Sequence, residues 1–159
     1  MAAGEGAGAG TEALVLLSPE PLSLDAGAAF VGLPSAGAVA SFLGITRTPG
    51  QGGRAVAHLF FEAYLPAARA GLLAIAAEAQ QRFALTRVAI LHRLGEVPLG
   101  QASLCVCASS PHRAPALQAL PWIVDQVKAR ATIFKKEVYT DGTHSWPANC
   151  GGCSSGGSS

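Results

Sequence analysis

Charge is scarce in this sequence. Asp, Glu, Lys and Arg make up 13% of its 159 residues, about half the usual share of ~25%. A surface so poor in charge suits a protein that is partly covered by another chain. No apolar run approaches the ~18–20 residues that cross a bilayer, so no membrane-spanning helix is expected. Residues 1–46 carry Glu5, Glu12, Glu20 and Asp25 but no Lys or Arg. The start therefore lacks the basic region and long apolar stretch of a secretory signal, and also the Arg and Ser of a transit peptide. Cytosol is the simplest location, and the four cysteines are expected there as thiols. A net charge of +1 gives no electrostatic case for nucleic acid as the main partner. No paired-carboxylate site and no nucleophilic Ser elbow is found, and the Gly-rich stretch at 50–53 lacks the Lys-Ser/Thr of a phosphate-binding loop.

Half of the residues are hydrophobic, enough for one domain with a core of useful size. The Ala/Gly-rich residues 1–12 read as a disordered start, 13–148 as the folded domain, and 149–159 as a flexible Cys/Gly/Ser tail. Within the domain, Ala13–Leu17 reads as a strand ended by Ser18-Pro19-Glu20-Pro21. Ser23 or Asp25 caps a short helix over Ala26–Val31. Gly37–Thr46 reads as a buried strand and Arg54–Tyr64 as another, with a mobile glycine loop between them that suggests a hairpin. Leu72, Ile75, Ala76, Ala79 and Phe83 recur at helical spacing behind Pro66, giving an amphipathic helix. Val88–His92 is a β-branched strand ended by Gly95, residues 96–100 form a turn, and Ser103–Ala108 is a strand. Ser110 caps a second long helix with Leu117, Leu120, Val124 and Val127 as its buried stripe, which Pro121 should kink or split. Phe134–Tyr139 is the last strand. The order is roughly βαββαββαβ, an α+β fold with helices packed on a largely antiparallel sheet.

Basic residues are unevenly placed. All eleven lie in residues 47–140, and the three lysines, Lys128, Lys135 and Lys136, fall within nine residues. Lys128 sits near a helix end, where a cation is favoured anyway. Lys135 and Lys136 alternate on a strand and face opposite ways, so only one can share a pocket with Lys128. Lysines held close together can accept and donate protons, and a surface cluster is the competing reading. Ser110-Pro111-His112-Arg113 lies at a helix start, where free N–H groups and Arg113 suit an anion. Solvated first-turn residues would look the same. Arg47 stands where a strand meets the glycine loop, a natural place for a gate over an anionic ligand. His92-Arg93-Leu94-Gly95 is as well suited to anchoring a turn as to touching a ligand. Cys105 and Cys107 share one face of a strand and read as small core residues. Cys150-Gly151-Gly152-Cys153 has the spacing of half a zinc or redox site, but its Gly and Ser flanks offer no second shell, so no metal and no cofactor is expected.

The segments Gly44-Ile45-Thr46-Arg47, Phe61-Glu62-Ala63-Tyr64, His92-Arg93-Leu94-Gly95, Ser110-Pro111-His112-Arg113, Asp125-x-x-Lys128 and Phe134-Lys135-Lys136-Glu137 follow in a characteristic order and spacing. From about Val15 to Trp146 the chain resembles the large, catalytic subunits of molybdopterin synthase. The resemblance implies an α/β hammerhead-like domain that dimerises and binds two small ubiquitin-like subunits, giving a heterotetramer. It implies sulfurtransferase activity. The small subunit's thiocarboxylated Gly-Gly end would give sulfur to cyclic pyranopterin monophosphate, two transfers making the molybdopterin dithiolene of molybdenum cofactor biosynthesis. By position, Lys128 and Lys135 match the catalytic lysines, and Arg47, His112, Arg113, Lys136 and Glu137 the substrate-contacting positions. Bacterial members carry an arginine near the carboxyl end that reaches into the neighbouring subunit, where this chain has Ser145-Trp146-Pro147 and no cation. The rival readings are a non-catalytic module that docks a ubiquitin-like partner, and a zinc or redox protein built on the cysteines.

Overall fold

The computed structural model describes residues 12–147; the terminal segments read from the sequence as disordered or flexible lie outside them, except for Glu12. Eight strands form two four-stranded sheets. The first has the order β1 (Ala13–Ser18), β4 (Arg87–Arg93), β6 (Ala102–Ser110), β2 (Ala38–Ile45). Its β1–β4 pair is parallel and the others are antiparallel. The second, wholly antiparallel sheet has the order β5 (Gly95–Pro98), β3 (Val56–Ala63), β7 (Ile133–Tyr139), β8 (His144–Ser145).

Strand alternation divides the core. On one face of the first sheet Val88, Ile90, Leu104, Val106 and Ala108 pack under α2 (Leu65–Phe83) and α3 (Arg113–Arg130). On the other, Ala89, Leu91, Cys105 and Cys107 pack with Val31 of α1 (Leu24–Val31). This is why β4 and β6 are apolar almost without interruption: both of their faces are covered. Ser23 caps α1, its Oγ accepting from Ala26 N at 3.1 Å, and Asp25 stands in the first turn, where the helix dipole favours a negative charge. In α2 the expected stripe is present, with Leu72, Ile75, Ala76 and Ala79 fully buried. Glu12 is held at the sheet edge by Arg87, whose Nε donates to its carboxylate.

Several expectations need correction. The runs flanking the glycine loop are not a hairpin: β2 pairs with β6, and β3 pairs with β5 and β7. Their residues are consumed by different sheets, and the loop closes on itself instead, through Gly50 N to Arg54 O and Val56 N to Thr48 Oγ1. Part of the region read as a turn after His92 is β5; Gly95, at φ +76°, supplies the backbone conformation with which the chain leaves the first sheet for the second. Ser110 is not the cap of α3. His112 takes that place, and the Ser110 hydroxyl instead accepts from Ala116 N at 3.0 Å, further inside the first turns. The buried stripe of α3 is Ala116, Ala119, Ile123, Val124 and Val127, whereas Leu117 is 57% exposed. The helix continues through Pro121 as one element. Pro121 and Leu117 both lie on the solvent side, so the Leu117 carbonyl that loses its i+4 donor can bond to water.

Glycine substitutions test this packing. A Cβ on Gly27 of α1 would come 2.9 Å from Cys107 Sγ, whereas one on Gly71 of α2 meets nothing closer than 3.9 Å. Gly27→Ala should cost about 1–3 kcal/mol through overpacking, and Gly71→Ala should stabilise by about 0.5–1 kcal/mol through helix propensity. Urea unfolding of the two variants checks both signs.

Candidate functional site

Where the two sheets meet, a cavity of about 310 Å³ opens. Elements of both sheets and one helix contribute to it. β2 supplies Phe42, Gly44 and Ile45, and the loop after it Arg47, Gly50 and Gln51. Ser103 and Leu104 come from the start of β6, and His92 from the end of β4. The second sheet adds Leu59, Phe61, Ile133, Lys135 and Glu137, and the last turn of α3 adds Val127 and Lys128. Phe61, His92, Leu104, Val127, Ile133 and Glu137 are buried, while Ile45, Arg47, Gln51 and Lys128 are exposed. The buried lining is thus mostly apolar, with His92 and Glu137 set into it, and the two cations Arg47 and Lys128 stand at the exposed mouth beside Ile45 and Gln51.

Lys128 and Lys135 share this cavity, as does Arg47. The antiparallel register of β7 on β3 explains the selection of one strand lysine. Lys135 pairs with Phe61 and faces the core side, whereas Lys136 pairs with Phe60 on the opposite face. There Lys136 Nζ lies 4.9 Å from the Phe60 ring and 5.4 Å from the Trp146 ring, a cation–π site on the outer surface. Arg47 is steadied by its own loop, Nη1 donating to the Pro49 carbonyl at 3.1 Å. Glu137 is the one carboxylate on the wall. Tyr139, two residues on and on the same side of β7, donates its hydroxyl to Glu137 Oε2 at 2.8 Å and lies 2.6 Å from Ser145 Oγ. Gly50 presses on the same carboxylate: a Cβ there would stand 3.1 Å from Oε2 and 2.7 Å from Val56 Cγ2. The glycine is thus required by close approach.

His112 and Arg113 are not brought to this cavity. They follow β6 at the end opposite Leu104, roughly 20 Å away at ~3.3 Å per strand residue. His92, by contrast, is a wall residue that the sequence left undecided. It is 6% exposed, its ring meets Phe61 edge-on at 4.9 Å, and its Nδ1 is 2.8 Å from the Arg93 carbonyl. Burial lowers its pKa to about 4, against a smaller upward effect of the Arg93 hydrogen bond. The signal that could have found it is its place at a strand end, since the ends of strands furnish most of the wall.

Cys105 and Cys107 are fully buried free thiols, their sulfurs 3.8 Å apart. Cys107 is brought down to about 7 by hydrogen bonding from the Cys105 thiol and then from Ser41, and Cys105 is pushed up as the donor. Cys150 and Cys153 lie outside the described residues, among which no group of three or more His, Cys, Asp or Glu could hold a metal. No helix among them is long and apolar enough to cross a membrane.

The cavity of this α+β domain thus carries two lysines and an arginine, side chains whose charge suits an anion. The MoaE protein family matches residues 17–130. The chain is 37% identical to the molybdopterin synthase catalytic subunit of Bos taurus over 136 residues, 86% of this chain and 71% of that protein. It is 50% identical to the catalytic subunit of Oryza sativa subsp. indica over 108 residues, 68% of this chain and 55% of that protein. The X-ray crystal structure of molybdopterin synthase from Staphylococcus aureus is similar with a TM-score of 0.78 at 29% identity, over 83% of this chain and 95% of that one. The chain belongs to the MoaE family, the catalytic subunits of molybdopterin synthase, and is a sulfurtransferase subunit of molybdopterin synthesis.

The site carries a pH signature. The native state excludes the proton that unfolded His92 binds below pH 6.5. The stability this gives is complete above pH 6.5 and falls as pH drops towards 4, by up to about 3 kcal/mol. Urea unfolding at pH 7 and pH 4.5 should show this loss in the wild type, and a smaller one in His92→Gln.

Proposed function

We propose that the cavity seats the thiocarboxylated carboxyl end of a small ubiquitin-like subunit against cyclic pyranopterin monophosphate, and that Lys128 and Lys135 carry the sulfur transfer. The observation that carries this reading is that Arg47, Lys128 and Lys135 line one cavity. Both reactants are anions. Two unit charges ~4 Å apart at an effective dielectric near 20 interact by ~4 kcal/mol, so they approach only where fixed cations offset the repulsion. Lys128, at the mouth, holds the thiocarboxylate and orients its sulfur for attack. Lys135, further in, serves the proton transfers that accompany loss of oxygen from the pterin and opening of the cyclic phosphate. Arg47 takes the phosphate through its planar fork, and Glu137, fixed by Tyr139, contacts the pterin.

His112 and Arg113 serve as substrate contacts across a homodimer, from the α3 start of a second copy, because nothing in their own chain brings them to its cavity. Lys136 faces away and has no route to the substrate in its own chain. Two large and two small subunits then form a heterotetramer working in the cytosol. The catalytic reading is preferred to a docking scaffold because a scaffold has no use for a second lysine beside an apolar floor.

Lys128→Ala and Lys135→Ala test the reading. With thiocarboxylated small subunit and cyclic precursor, each variant should make molybdopterin at least about 100-fold more slowly, with thermal midpoint and small-subunit binding largely intact. Near-normal turnover in both would exclude it.

A further inference from the structure

We propose that His92 is a substrate-contacting residue of the cavity, its Nε2 accepting a hydrogen bond from an N–H group of the bound pterin. The inference rests on the reading above, that the cavity takes a pterin and a thiocarboxylate, and assigns a role to a residue which that reading leaves unused.

The tautomer follows from one contact. The Arg93 carbonyl can only accept, so the 2.8 Å contact places a hydrogen on His92 Nδ1. Desolvation keeps the ring neutral at physiological pH, and a neutral ring with Nδ1–H has a bare lone pair on Nε2. The contact to Arg93 thus occupies Nδ1 and leaves Nε2 as the acceptor of the ring. His92 is itself a lining residue of the cavity. Edge-on packing against Phe61 fixes the ring plane, so the acceptor cannot turn aside.

Its neighbours make this acceptor unusual. Arg47, Lys128 and Lys135 are donors only. Of the other lining side chains that can accept, Gln51 is exposed, Ser103 is half-buried and bonded to the Gly44 carbonyl, and Glu137 keeps Oε1 while Oε2 is held by Tyr139; Phe42, Leu59, Leu104, Val127 and Ile133 offer no polar side-chain atom. Of the two proposed reactants, the thiocarboxylate end is an acceptor and finds its partners among the cations. The pterin carries ring and exocyclic N–H groups, and these are complementary to a buried lone pair. An acceptor on an apolar floor also discriminates, because an occupant without a matching N–H leaves it unpaired, which corresponds to roughly ten- to a hundredfold in affinity. The Nδ1 hydrogen is held by the Arg93 carbonyl and a pKa near 4 makes Nε2 a weak base at neutral pH, so its part is recognition rather than proton transfer.

Two variants and two readouts test the assignment. His92→Phe keeps a planar ring against Phe61 and removes the acceptor, and His92→Gln offers an amide oxygen at similar reach. With the thiocarboxylated small subunit at saturation, His92→Phe should raise KM for the cyclic precursor by about ten- to a hundredfold. Its kcat should change much less, its affinity for the small subunit should stay unchanged, and His92→Gln should recover part of the loss. Independently, the ring ¹⁵N spectrum of the wild-type protein should show a bare Nε2 whose resonance shifts when the cyclic precursor alone is added, the signal being assigned by its absence from His92→Phe. An unchanged precursor KM together with an unshifted Nε2 signal would overturn the proposal, as would a loss that falls on small-subunit affinity. Should Lys128→Ala and Lys135→Ala keep full activity, the broader reading fails whatever His92 does; should they lose it while His92→Phe is normal, only the role of His92 is withdrawn.

Discussion

On the proposed function, repulsion between two anions is the constraint that the cavity has to meet. A thiocarboxylate and a cyclic phosphate cannot be pressed together in water without help, and screening at ~10 Å in 0.1 M salt does little for groups in contact. Fixed cations in a desolvated setting act more strongly because the surrounding dielectric is low. An apolar floor with Arg47 and Lys128 at the mouth and Lys135 further in answers that need. Three of the eleven basic residues, Arg47, Lys128 and Lys135, stand on the cavity wall.

The fold delivers this arrangement through element ends. The first sheet is a rigid slab covered by α2 and α3 on one face and by α1 on the other, and its β2, β4 and β6 reach the cavity. The chain crosses to the second sheet immediately after His92, at Gly95, and returns from α3 into β7 immediately after Lys128. Both crossings place a polar side chain beside the junction. β7 then alternates, putting Lys135, Glu137 and Tyr139 inward and Lys136 outward. A one-residue slip in that register would exchange Lys135 for Lys136 and Glu137 for Val138, keeping a lysine but losing the carboxylate from the wall.

Much of this was legible in the sequence. The stripe of α2, the strands β1, β4, β6 and β7, and the conflict between Lys135 and Lys136 all follow from local periodicity, which reports on each element's own faces. Strand pairing does not, because it depends on partners distant in the chain. Hence a glycine loop between two strands suggested a hairpin, although β2 pairs with β6, about sixty residues on. Leu117 was misplaced on the buried stripe because small alanines, Ala116 and Ala119, do the packing there; close helix–sheet contact selects small side chains over large ones. His92 was undecided for the same reason as the hairpin. Whether a histidine at a strand end anchors a turn or lines a pocket depends on what the other sheet brings opposite it. Its Nδ1 does the first and its bare Nε2 is available for the second.

The account stands or falls on where the small subunit's last residue comes to rest. A crystal structure of the large subunit with the unactivated small subunit, whose terminal carboxylate stands in for the thiocarboxylate, measures it directly. The prediction is a carboxylate oxygen within about 3 Å of Lys128 Nζ, the peptide end inside the cavity and Lys135 facing the remaining space. A tail that docks elsewhere on the surface, with the cavity empty and Lys128 in bulk water, would contradict it.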